Sequence, residues 1–249
     1  MNAETPYPKN LPRWRLREST PFWQSPLGLA HTCWLDLVLQ DFQRDTFGYL
    51  AIVFGLPNLD AMQHCSIHGR MVQGGLGENI SFDMHDWPMQ DNSVDLIVLP
   101  HVLEFASQPQ QVLREAVRVL MPEGKLVVAG FNPHSLLPFG AATAGLPPSV
   151  AWLSRPRLID WLRLTGMEID YGRFGGWRPP VSAQSMQRLR WLDSLGEQWW
   201  PQAANAYALK AVKRVNQMTR LMPSKRATLA GIFAPVANPV PAMKNHKTK

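Results

Sequence analysis

The chain has 249 residues, 45% of them apolar, a formal net charge of +6 and two cysteines, Cys33 and Cys65. That length suits one α/β domain with additions, or at most two small domains. No stretch approaches ~18 uninterrupted apolar residues. A membrane-spanning helix and a disulfide-built secreted scaffold are therefore not expected, and the anticipated compartment is the cytoplasm.

The charge is unevenly placed. Nine of the 25 Lys and Arg residues fall from Gln198 onward, where there is no acid, leaving 16 bases against 19 acids, net −3, before it. Such a tail can touch nucleic acid or an anionic surface. No aromatic-interleaved stripe accompanies it, so a solvated tail is the plainer reading.

Residues 1–24 are rich in Pro, Arg and Trp without periodicity, and lack the apolar core of a signal peptide. They predict an extended N-terminal arm packing through Trp14, Phe22 and Trp23. Ser25-Pro26 supplies an N-cap and a first-turn proline. Leu29, Trp34, Leu37, Val38 and Phe42 then mark a helix over 27–45. Tyr49 to Phe54 is a continuous apolar run, the pattern of a strand buried on both faces of a parallel sheet. A second strand is expected within 65–74, a third within 79–83 and a fourth over Val94–Leu99. Val112, Ala116, Val119 and Leu120 mark the buried face of the next helix, and Pro122-Glu-Gly124 turns the chain into a fifth strand, Leu126–Ala129. After a Pro/Gly/Ala-rich loop (132–150), Ser154-Arg-Pro156 opens a helix that ends at Gly166. Met167–Tyr171 and Ala206–Lys213 read as the last strands, with a Trp-rich helix over 183–200 between them. Prolines and bases without periodicity from 216 onward predict a flexible tail. The alternation implies an α/β, doubly wound, mostly parallel sheet with helices on both faces, consistent with a reversed final strand. It gives three regions: arm 1–24, domain 25–215, tail 216–249.

The run Phe82–Gly130 is the most informative. Asp83 closes the expected third strand, followed by Trp87-Pro-Met89 and Asp91-Asn-Ser-Val-Asp95. Val102-Leu-Glu-Phe105 comes next, then Leu113-Arg-Glu115 through Arg118-Val-Leu-Met-Pro-Glu-Gly124. In order and spacing these motifs resemble class I S-adenosyl-L-methionine (SAM)-dependent methyltransferases, in particular the ubiquinone/menaquinone C-methyltransferase-like group. A weaker likeness covers Leu158–Met167, and the whole spans about residues 48–215.

The resemblance implies a seven-stranded sheet and SAM as cofactor. It puts the Asp83 carboxylate on the adenine amino group, because a carboxylate only accepts hydrogen bonds. It puts the Met84 amide on the neighbouring ring nitrogen, and Gly55 and Leu99 also at the cofactor. Asp86 reads as a turn-forming acid and Asp95 as structural. His101, just after the fourth strand, is the candidate base near neutral pH, with Glu104 as a lesser candidate.

The chain also departs from the family. The glycine-rich loop after the first strand is reduced to Val53-Phe-Gly55-Leu-Pro57-Asn-Leu59. Only its first glycine remains, proline lacks an amide hydrogen, and Leu59 is bulky. No acid lies in 67–77, where the family binds the ribose; Asn58 or Asp60 are candidate replacements. Gly74-Gly75-Leu-Gly77 lacks the context of a phosphate loop and reads as a turn. Asn132-Pro133 resembles an amino-methyltransferase motif, but it follows the fifth strand instead of the fourth. His64-Cys65-x-x-His68 lacks a fourth ligand, so no metal site is expected.

Two readings stand. The first is a SAM-dependent methyltransferase acting on an undetermined acceptor, a small molecule. The second is a catalytically inactive methyltransferase-like binding or scaffold protein. A third, a nucleic-acid-associated methyltransferase, rests on the basic tail alone.

Overall fold

A computed structural model of the chain describes residues 20–56, 59–61, 65–74, 78–180, 188–189 and 191–214. Trp14 and the basic tail lie outside the described residues, as do His64, Pro57, Asn58 and Gly75 to Gly77.

The elements in chain order are α1 (Thr20–Gln24), α2 (Pro26–Gln43), β1 (Leu50–Phe54), β2 (Gly69–Gln73), β3 (Val94–Pro100), α3 (Pro109–Val119), β4 (Leu120–Phe131), α4 (Arg155–Leu164), β5 (Met167–Gly175), α5 (Trp191–Trp199) and β6 (Ala206–Lys213). Residues 20–24 of the expected extended arm are thus helical. α2 starts as its sequence dictates: Ser25 is the N-cap, its Oγ accepting from the Gly28 amide at 3.0 Å, with Pro26 in the first turn. α4 ends at Gly166, whose φ of +81° is the left-handed value that glycine adopts freely.

The six strands form one sheet in the order β2-β1-β3-β4-β6-β5. β1 to β4 are parallel, and β6 runs antiparallel to both β4 and β5. This is the doubly wound class I methyltransferase topology with its reversed last strand. One strand of the expected seven is missing: 79–83 makes no ladder among the described residues. Its last residue instead opens a turn, with Asp86 N–H donating to the Asp83 carbonyl at 3.1 Å.

The period of two along the strands divides the core. Ala51, Val53, Leu96, Val98, Val127 and Ala129 face α1 and α2 in one cluster. Ile52, Phe54, Ile97, Leu99, Leu126 and Val128 face α3 and α4 in the other. α2 buries Leu27, His31, Leu35, Val38, Leu39 and Phe42, a face rotated from the expected one: Leu29 and Leu37 are exposed.

Asp95 accepts from the Tyr49 and Leu50 amides at 2.8 and 3.0 Å, fixing the start of β1 to β3. Arg118 fastens α3 to the turn before β3. It donates to the Trp87 and Met89 carbonyls and pairs with Glu115 (2.7 Å) and Asp91 (2.6 Å). Lys213 on β6 donates to the Val117 and Leu120 carbonyls, where α3 ends.

Candidate functional site

In an open α/β sheet, ligands bind beyond the carboxyl ends of the strands. At the ends of β1 and β2, Gly55 is buried and its amide donates to the Gln73 carbonyl at 2.9 Å. The following Leu56 and Leu59 face each other across a short bridge, 0% and 4% exposed, within the core cluster under α2. Leu59, where the resemblance calls for the third glycine, therefore fills space together with its neighbour Leu56.

β2 ends on Gln73, the place at which the family carries an acid. Its Nε2 donates to the Phe82 carbonyl at 2.7 Å, which fixes the amide orientation because a carbonyl can only accept. Gln73 Oε1 is buried and has no hydrogen-bond partner among the described residues. An orphaned buried acceptor costs about 1–3 kcal/mol unless something donates to it. As an amide in place of an acid, residue 73 carries one signal in the sequence, its place as the last polar residue of the second strand.

Next to Phe82, Asp83 sits in a tight turn. Its Oδ1 accepts from the His85 amide (2.9 Å) and faces His85 Nδ1 at 3.0 Å. The amide bond to its charged form holds its carboxyl below the usual range. The side chain is 42% exposed, so the carboxylate is both ionised and reachable. The Met84 side chain packs in the core, its carbonyl accepts from Trp87 Nε1 at 2.7 Å, and its amide makes no hydrogen bond to any described residue. Asp86 is an exposed turn residue. Leu99 is wholly buried against α3 and paired in register with Val128, so its side chain is core and has no face toward a ligand.

His101 follows β3 with φ +56°, uncommon for a side chain with a Cβ, and is 0% exposed. Its Nδ1 lies 3.3 Å from Glu104 Oε1 and its Nε2 lies 2.7 Å from His31 Nε2. Both ring nitrogens are thus engaged inside the protein. The expected role of His101 as the base that meets an acceptor does not fit a ring with no open surface. Glu104 Oε1 also accepts from the Phe131 amide at 2.5 Å, while Oε2 is buried and unpartnered. Trp23 and Phe131 pack on the His101 ring, with centroids 5.2 and 4.1 Å away.

His31 is the residue the sequence reading missed. Burial first, and the charge of His101 second, push its pKa well below 6.5, so the ring is neutral at physiological pH. Its signal was a histidine in line with Leu27, Leu35 and Val38 on the buried face of an amphipathic helix. Its partner lies seventy residues away, beyond the reach of any local pattern.

His31 also lines a cavity of about 340 Å³ between α2, the residues after β5, and α5. Trp34, Leu37, Phe174 and Trp177 contribute apolar wall, and Arg178, Asp193 and Glu197 polar lining. Two glycines seat the indoles. A Cβ at Gly175 would stand 2.0 Å from the Trp34 ring, and one at Gly196 2.2 Å from that of Trp177. Trp177 is held further by its indole N–H to the Trp200 carbonyl and its amide to Asp193. Asp193 pairs with Arg178 at 2.6 Å. Of residues 131–139, Leu137 alone lines this cavity; Phe131 is core and Phe139 is exposed. Asn132 spends its side-chain amide on the Gln202 and Ala204 carbonyls, a structural role. No group of three or more metal-type ligands occurs among the described residues, and no described helix is long and apolar enough to cross a membrane.

Comparison with known proteins agrees with this architecture. Residues 59–128 match a family described as a methyltransferase domain. An uncharacterized Escherichia coli K12 protein, YafS, is 30% identical over 153 residues, 58% of this chain and 63% of that protein. A Renibacterium salmoninarum demethylmenaquinone methyltransferase is 38% identical over 60 residues, 24% of this chain and 25% of its own. The chain thus spans less than two thirds of the length of these relatives. Among solved structures, a chain from the complex of the Haloferax volcanii Trm112 methyltransferase activator with a methyltransferase superposes with a TM-score of 0.58. It shows 14% identity and covers 80% of this chain and 98% of its own. A Thermotoga maritima SAM-dependent methyltransferase gives 0.51 at 14% identity, covering 81% and 100%. The chain has the fold of class I methyltransferases.

Proposed function

We propose that the chain is a SAM-dependent methyltransferase acting on a small molecule, of the quinone C-methyltransferase-like kind in its cofactor half. The observation that carries the reading is Gln73 Oε1, a buried acceptor without a donor at the end of β2. A ribose hydroxyl is a donor of the kind it lacks. The ionised Asp83 carboxylate and the unpaired Met84 amide follow Phe82, whose carbonyl Gln73 holds. In this reading Asp83 accepts from the adenine amino group, the Met84 amide donates to the adjacent ring nitrogen, and Gly55 borders the cofactor. Leu99 supports this surface from the core. SAM, when bound, supplies an electrophilic methyl group on a sulfonium. The chain supplies position and dryness, which for an in-line displacement is much of catalysis.

A specific observation favours the inactive scaffold as second reading: Leu56 and Leu59 are packed where the loop would approach the cofactor's amino-acid end. Calorimetric titration with SAM separates the two. Binding is expected, and Asp83→Ala or Gln73→Ala each weakens it about ten- to hundred-fold, the worth of a ~1.5–3 kcal/mol hydrogen bond. No heat at millimolar SAM would leave the scaffold reading standing.

A further inference from the structure

With His101 neutral, the Glu104–His101–His31 chain has one direction. Phe131 N–H can only donate, so Glu104 Oε1 is an acceptor there, and His101 Nδ1 facing the same oxygen carries the proton. With His101 neutral, its Nε2 is then a lone pair, and it lies 2.7 Å from His31 Nε2, which in that state must carry a hydrogen. That leaves His31 Nδ1 unprotonated and without a hydrogen bond to any described residue. His31 is the member of the chain that lines the cavity.

We propose that this cavity binds the methyl acceptor, with His31 as the catalytic base and His101 and Glu104 as positioning residues behind it. The inference rests on the methyltransferase reading above. The acceptor's N–H or O–H proton passes to His31 Nδ1, and the His31 Nε2 proton passes to His101 Nε2. The positive charge comes to rest against Glu104. The acceptor–CH3 bond forms as the S–CH3 bond of the sulfonium donor breaks, that bond's electron pair staying on sulfur.

The lining selects the acceptor class. Trp34, Phe174 and Trp177 contribute aromatic rings to the wall, which suits a planar molecule, and the indoles are seated on glycines, so their positions are specified. The charged lining is one cation, Arg178, already paired with Asp193, and one further carboxylate, Glu197, that makes no ion pair with a described residue. Among the described residues of the lining, an anionic acceptor would find no unpaired cation. The cavity suits a neutral or cationic ring compound with an N–H or O–H to lose.

The test pairs benzylamine with benzoate, similar rings of opposite charge, on the full chain with 15N-labelled histidine. Long-range imidazole NMR is expected to show His31 as the Nε2–H tautomer. Benzylamine is expected to move the His31 Nδ1 resonance saturably, and benzoate to leave it in place. Cys33→Trp, at an exposed position on the cavity wall, is expected to abolish the benzylamine response while SAM calorimetry is unchanged. Glu104→Gln is expected to alter the His101 and His31 tautomers together. An Nδ1–H tautomer at His31, or no response to benzylamine in protein that binds SAM, overturns the acceptor site alone. A benzylamine response in protein that gives no heat with SAM overturns the proton transfer together with the methyltransferase reading.

Discussion

A neutral imidazole inside a protein sets a limit on acid stability, and His31 is such a group. It faces His101 directly, with Glu104 beyond, and Trp34 packs against its ring. Its pKa is depressed in the folded state and near 6.5 in the unfolded one. Above pH ~6.5 both states hold it neutral and it contributes no pH dependence. Below that, the unfolded chain binds a proton that the folded one refuses, so stability falls as the pH drops toward the folded value. The loss approaches ~1.4 kcal/mol per pH unit for one proton. Urea unfolding of wild type and His31→Asn from pH 8 to 5 should therefore show their stability difference shrinking only on the acid side. Asp83 could be singled out from the sequence because it lies inside an ordered run of motifs. Gln73 could not, because an amide standing where an acid is expected carries no distinctive spacing. His31 depends on a contact across seventy residues, which only the fold creates.

At the level of elements, the motif between the third strand of the family and α3 turns out to be a clasp. Arg118 bonds to the Trp87 and Met89 carbonyls, to Asp91 and to Glu115, and Glu115 also accepts from the Trp87 amide at 3.1 Å. The side chain is about one third exposed, so solvent weakens its ion pairs but less so its bonds to main-chain carbonyls. Arg118→Ala should lower stability by about 1–2 kcal/mol, read as a drop in the urea midpoint, and loosen Trp87, visible as a red-shifted tryptophan emission. The strands with continuous apolar runs, β1 and β3, were legible to within a residue or two, and β6 covers the residues expected of it, Ala206–Lys213. The strand expected at 79–83 does not form a ladder: beside β2 the Asn79 side chain takes the Val72 amide and the Arg70 carbonyl, Gln73 takes the Phe82 carbonyl, and Asp83 starts a turn. α2 was found but its buried face was misjudged, since Leu29 and Leu37 are apolar yet point outward.

For the molecule as a whole, the packing around the histidines ties the first described helix to the centre of the sheet. Phe22 and Trp23 are 1% and 0% exposed, and Trp23 stands against His31, His101 and Phe131. Trp23→Ala should cost about 3–5 kcal/mol, a large share of the ~5–15 kcal/mol that holds a domain together. Chemical denaturation would measure it, and a cost below ~1 kcal/mol would mean that α1 is dispensable. The 2.7 Å contact between His31 and His101 has a consequence of another kind. Residues 59–128, the part matched by the methyltransferase domain family, include Gln73, Asp83, Met84, His101 and Glu104, but not His31, Trp34, Phe174 or Trp177. That one contact therefore joins the segment that matches the family to a helix that lies outside the match. In the function proposed above, the first side would hold the methyl donor and the second would choose what receives it.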